Sequence, residues 1–162
     1  MKHLKLNVLL VVLSFASLLG CSNETKQEHL IKASDSELTK IITKQVDSLY
    51  SVYERFDYDW IEFYDNNYTA IYPGAPIKHM TKDSLKAQWK RIYAKNHVKL
   101  LSRGRPTIIP SEDMAISYNS FHEIFVDKET LDTTNSKGTY IINWKRQHND
   151  TWVIVFETVQ NH

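Results

Sequence analysis

The segment that most constrains this chain is GTYIINWKRQHNDTWVIVFETV, Gly138 to Val159. Two apolar runs flank a polar turn at His148-Asn149-Asp150, the pattern of paired antiparallel strands. A two-residue loop at Asn149 and Asp150 would set Trp144 opposite Val155 and Ile142 opposite Glu157. One face then carries Tyr140, Ile142, Trp144, Val155, Glu157 and Val159, and the other Ile141, Asn143, Trp152, Ile154 and Phe156. Both faces are largely apolar, whereas a strand pair with one face in water alternates cleanly between apolar and polar residues. Each side of this hairpin therefore has to be covered.

At the other end, Lys2 and Lys5 precede an apolar run from Leu6 to Leu19 that is short for a membrane span, so residues 1–20 read as a signal peptide. Leu18-Leu19-Gly20-Cys21 resembles the bacterial lipobox, in which the cysteine is lipidated and becomes the mature N-terminus. Cys21 is the sole cysteine, so an exported chain cannot use it in an internal disulfide, and lipid attachment gives it a role. The expected location is the bacterial cell envelope, with the lipid on Cys21 in the membrane. Sorting after the lipidated cysteine differs among bacteria, so inner and outer attachment both stay open; Ser22-Asn23 lacks the aspartate that often signals inner-membrane retention in enteric species, and the outer membrane, facing the periplasm, is the first expectation. Residues 21–33 are polar and aperiodic, a tether of roughly 20 Å between lipid and domain.

Loss of residues 1–20 leaves 18 Lys+Arg (20 minus Lys2 and Lys5) against 19 Asp+Glu, a formal charge of −1. Such a domain has no electrostatic footprint for nucleic acid. Residues 34–162 are enough for one domain with a substantial core.

Within it, Ser34-Asp35-Ser36-Glu37 has capping-box spacing and predicts a helix start. Leu38, Ile41, Ile42, Val46, Leu49, Val52, Tyr53 and Phe56 then recur on one helical face. A helical turn is expected over Asp59–Tyr64, short strands over Tyr68–Tyr72 and Pro76–His79, and a second substantial helix capped by Thr81 with Leu85, Trp89, Ile92 and Tyr93 inward. Val98–Ile109 reads as one or two strands interrupted near Gly104 and Pro106, Met114–Val126 as a long strand, and Asp127–Lys137 as a polar loop before the hairpin. Helices followed by antiparallel strands predict an α+β fold, one curved sheet wrapped around a long N-terminal helix and two shorter ones.

The segment FDYDWIEFYDNNYTAIYPG, the strand entry EDMAIS and the close KGTYIINWKRQHNDTWVIVFETVQN resemble SnoaL-like domains of the nuclear transport factor 2-like superfamily, in the branch catalogued as domain of unknown function 4440. Together with the intervening elements this resemblance covers residues 34–162. Where relatives place a glycine before the third helix, this chain has Lys78-His79-Met80-Thr81, which puts a histidine near where a pocket would open. The resemblance implies a cone with a pocket between concave sheet and helices, Glu157 on the concave side, and commonly a homodimer through the convex face. Members range from isomerases, cyclases, hydrolases and dehydratases to non-catalytic ligand binders and assembly domains, so fold does not settle function.

Glu157, set among apolar neighbours in VIVFETV, either finds a partner or has its pKa raised by desolvation, which suits a general acid or base. Its other reading is a structural ion pair or hydrogen bond. His122, which shares a strand face with Tyr118 and Ser120, and His79 are proton-shuttle candidates or ordinary polar residues. Tyr53, Trp60, Tyr64, Tyr72 and Trp89, with Tyr118 and Trp144, are candidate walls for a flat or partly apolar ligand, or plain core. Tyr53 is the tyrosine expected to turn its hydroxyl inward. No metal site, phosphate loop or nucleophile elbow is visible, and no cofactor is expected.

Three readings remain open: a lipid-anchored binder of a small, partly apolar ligand; an acid–base enzyme, isomerase, cyclase or hydratase-like, using Glu157 with Tyr53 or His122; and a non-catalytic dimerisation or interaction module presenting Trp152, Ile154 and Phe156.

Overall fold

The computed structural model describes residues 33–162, so the expected signal peptide, Cys21 and nearly all of the expected tether lie outside the described residues. Helix α1, Asp35–Tyr53, begins as its sequence predicts. Ser34 Oγ accepts from the Glu37 N–H (3.3 Å) while Glu37 Oε2 accepts from the Ser34 N–H (2.9 Å). It buries Leu38, Ile42, Val46, Leu49 and Tyr50. Ile41, expected in that stripe, is 41% exposed, because the buried face is centred slightly to one side and takes in Tyr50 instead. Phe56 lies beyond the helix at φ +54°.

A 3-10 helix, Asp59–Phe63, buries Trp60 and Ile61. Helix α2, Lys82–Lys95, is capped by Thr81, with Ser84 completing the reciprocal bonds (3.1 and 2.8 Å). Of its expected inner face only Leu85 is fully buried; Trp89, Ile92 and Tyr93 are half-buried.

The strands are β1 (Tyr64–Ile71), β2 (Lys78–Thr81), β3 (Asn96–Arg103), β4 (Thr107–Pro110), β5 (Met114–Asp127), β6 (Thr133–Arg146) and β7 (Trp152–Asn161). They form one curved, unclosed sheet in the order β2-β1-β7-β6-β5-β3, with β4 also on β5. The sheet is mixed, not antiparallel throughout as expected: β1 runs parallel to β7, with Ala70 opposite Glu157. Strands so distant in sequence carry no tight turn to force antiparallel pairing.

Strand β6 begins earlier than expected. Thr133, Thr134 and Asn135 pair with Val126, Phe125 and Ile124, and this polar, exposed extension offers no alternating pattern to read.

The closing hairpin departs from its expected register in an informative way. Its loop has three residues, 148–150, closed by the Gln147 N–H to Thr151 O bond (2.8 Å), with Asp150 left-handed at φ +63°. Trp144 therefore pairs with Ile154, not Val155. One extra residue in β7 then shifts the register, and Ile142 meets Glu157 as expected. Because of that bulge, Trp152 and Ile154 face inward along with Glu157. Trp152 is 5% exposed and Ile154 is fully buried, so the expected outer trio keeps only Phe156, opposite Asn143.

Gly138 is tightly placed in β6, where an added Cβ would lie 2.0 Å from the Gln160 carbonyl oxygen. Gly138→Ala is expected to cost about 1–3 kcal/mol through forced separation of β6 and β7, measured as a lower urea midpoint at unchanged slope.

Candidate functional site

Between α1, the 3-10 helix, α2 and the sheet lies a cavity of about 140 Å³. Its walls are mainly aromatic and aliphatic, and its lining includes two carboxyl groups, Glu123 and Glu157. Several lining residues, among them Tyr53, Tyr72, Trp89 and Phe121, are only partly buried, so the cavity is not sealed.

Glu157 is 3% exposed. Its Oε1 accepts from the Tyr72 hydroxyl, and its Oε2 accepts from Tyr64 (2.6 Å) and Tyr140. The Tyr64 and Tyr140 hydroxyls are themselves 2.8 Å apart. The sheet builds this cluster directly. Tyr140 lies on the same face of β6 as Ile142, the partner of Glu157, while β1 brings Tyr64 and, one residue past its end, Tyr72 alongside β7. Ala70, directly beside Glu157, is small enough to leave them room. Burial raises the Glu157 pKa, and the tyrosine hydroxyls oppose that rise.

Glu123, 8% exposed, sits on β5 and accepts from the Tyr53 hydroxyl of α1. Burial pushes its pKa up to about 7, against the lowering effect of Tyr53. The Tyr53, Tyr64 and Tyr140 hydroxyls are in turn held well above their ordinary value, by burial first and a neighbouring carboxyl second, and so stay protonated as donors. Among the described residues no lysine or arginine pairs with either glutamate.

Of the residues singled out in the sequence, Tyr53, Trp60, Tyr64, Tyr72, Trp89 and Glu157 converge on the cavity. Trp144 is fully buried in the core, its Nε1 donating to Ser117 Oγ (2.8 Å). His122 and Tyr118 lie on the opposite sheet face, because β5 turns Ser117, Asn119, Phe121 and Glu123 inward. His122 Nε2 is instead 3.1 Å from Asn135 Oδ1. His79, on β2, is 3.3 Å from Thr69 Oγ1 and is not part of the cavity wall.

Glu123 was missed, although FHEIF places it among apolar residues much as VIVFETV places Glu157. Strand parity alone would have separated it from His122. Tyr140 was assigned to the face of Glu157 but not to the site.

Comparison with solved structures now decides the fold. A nuclear transport factor 2-like superfamily protein of Salmonella enterica serovar Typhimurium superposes with TM-score 0.62 at 18% identity, covering 79% of this chain and 93% of that one. The chain has the nuclear transport factor 2-like fold. A ketosteroid isomerase-like protein of Erwinia carotovora atroseptica aligns at TM-score 0.60 and 15% identity, over 77% of this chain and 96% of that one. A nuclear transport factor 2-like protein of Cytophaga hutchinsonii does so at 0.61 and 14%, over 76% and 97%. No family model and no curated protein matches the sequence. In this fold the cavity occupies the space between sheet and helices, and Glu157 faces it, as the resemblance implied.

The Glu123 shift predicts a pH dependence of stability. Below pH 4.5 the carboxyl is protonated in both states; between 4.5 and about 7 the unfolded chain ionises while the folded one holds its proton. Stability is therefore lost as pH rises through that window, by on the order of 3 kcal/mol from this group. Glu157 adds a loss of the same sign. Urea denaturation from pH 4 to 8 is expected to show a shallower decline for Glu123→Gln than for the wild type.

Proposed function

We propose that this protein is a lipid-anchored envelope protein of the SnoaL-like branch, whose domain holds a small, partly apolar ligand in the cavity between sheet and helices. The observation that carries this reading is the composition of the cavity: aromatic walls around two buried carboxyl groups met by tyrosine hydroxyls and, among the described residues, by no fixed cation. A purely structural carboxylate is most simply stabilised by an ion pair, and a purely structural interior needs no cavity. A cavity of about 140 Å³ is close to one that admits a benzene-sized guest, so the ligand is on the order of one ring in size. The lipobox-like run ending at Cys21 supports attachment to the membrane.

A second reading, acid–base catalysis, is supported by Glu123, whose pKa of about 7 suits taking a proton and returning it. A ketosteroid isomerase-like protein shares the fold. On this reading Glu123 joins Glu157 as acid or base, and orientation of the substrate falls to Tyr53, since His122 lies behind the sheet. Homodimerisation uses the outer sheet face, where Ile109, Ile116 and Tyr118 are exposed and Ile116 is aligned with Phe156 across Asn143.

Native mass spectrometry of the full-length chain, purified gently from its own host, is expected to show a retained molecule of that size; an empty protein would count against the binding reading. Glu157→Gln separates binder from enzyme, since an enzyme loses turnover of that molecule while still retaining it. Cys21→Ser is expected to move the protein from the membrane fraction to the soluble fraction, and continued membrane association would overturn lipid anchoring.

A further inference from the structure

The proposed ligand can be narrowed by charge, an inference that rests on the cavity being a binding site. The two cavity carboxyls have no cationic side chain against them among the described residues. Arg103, stacked 4.9 Å over the Tyr50 ring, is bound to Asp47 (2.7 Å) and does not line the space.

The hydrogen-bond inventory points the same way. Tyr53 gives its proton to Glu123, and Tyr64, Tyr72 and Tyr140 give theirs to Glu157. With the glutamates ionised, what these groups still offer a guest is lone pairs. A ligand rich in acceptors finds those four donors already engaged, with Tyr50, which accepts from Asn119 Nδ2 (2.8 Å), and Trp60 Nε1 left among the lining donors, whereas a ligand bringing its own N–H donors meets acceptors at both carboxyls.

The rings supply a third, independent indication. Tyr53, Trp60 and Trp89 all line the cavity, with centroids 5.3–5.7 Å apart and mutual angles of 80°, 81° and 88°. The three planes are nearly mutually perpendicular, so the ring faces at this corner point in three different directions. Ring faces carry the negative lobe of the quadrupole and attract cations. Tyr53 also holds Glu123, which places a carboxyl at the same corner.

We propose that the cavity selects a small organic cation, a protonated amine on an apolar body of about one ring. Its ammonium sits by Glu123 and the Tyr53–Trp60–Trp89 corner, and its apolar part fills the remainder. Such a guest supplies the positive charge that the buried carboxyls otherwise lack, while an anion would add a further negative charge to a desolvated site.

Three probes of matched size test this: benzylamine, benzyl alcohol and benzoate, titrated at pH 8 into the full-length chain in detergent, with tryptophan fluorescence and calorimetry as readouts. Benzylamine is expected to bind about tenfold more tightly than benzyl alcohol, with benzoate weakest. Benzyl alcohol or benzoate binding as well as benzylamine would overturn the cation assignment while leaving a small-molecule site in place. No response to any probe at millimolar concentration would overturn the site and the assignment together. In Glu123→Gln and Glu157→Gln, with fold checked by circular dichroism, the benzylamine-to-benzyl-alcohol ratio is expected to collapse in at least one. A ratio unchanged in both overturns the assignment.

Discussion

Burying a carboxyl group without a counter-charge is the constraint on which this domain turns. Glu157 is buried in the sheet and must be protonated, hydrogen-bonded on every side, or both. The chain meets this with tyrosines, which bring an apolar body to the core and a hydroxyl to the carboxyl. An arginine would have held the carboxylate more strongly and filled the space. Tyrosines leave the oxygen atoms clustered at the edge of a cavity, and the same solution recurs at Glu123 with Tyr53.

Position along the strands does the rest. A regular β7 would have turned either Trp152 and Ile154 or Glu157 and Val159 toward the helices. The bulge between them lets the near end of β7 fill the core beside Trp144 while the far end faces the cavity. One inserted residue thus separates the core-packing part of a single strand from the part that lines the cavity.

How much of this was legible in the chain depends on whether the signal was local. The capping box at Ser34, the Thr81 cap and the long strand from Met114 rest on neighbours in sequence, and their places were readable. The hairpin loop was misjudged by one residue and the bulge undid the error at Glu157, so Glu157 faced the right way while Trp152 and Ile154 did not. No periodicity reports a bulge, because its neighbours Val153, Val155 and Phe156 are as apolar as the residues they flank. The parallel pairing of β1 with β7 is equally silent, being a meeting of segments far apart in the chain. In the site, aromatic residues were recognisable as a population, but which face of β5 points inward decides between His122 and Glu123. That choice is set by the helices that cover the sheet.

The parallel partnership of the first strand with the last also sets a schedule. Tyr64 and Tyr72 meet Glu157 across separations of 93 and 85 residues, whereas Tyr140 reaches it from only 17 away. A chain emerging from its N-terminal end can pair β3 with β5 and β5 with β6 while β1 still waits for its neighbour. The walls of the cavity are therefore made early and its polar floor last. Until β7 is in place there is no Glu157 carboxyl to take those hydroxyl protons, and the edge of β1 away from β2 lies open to any other strand that reaches it first.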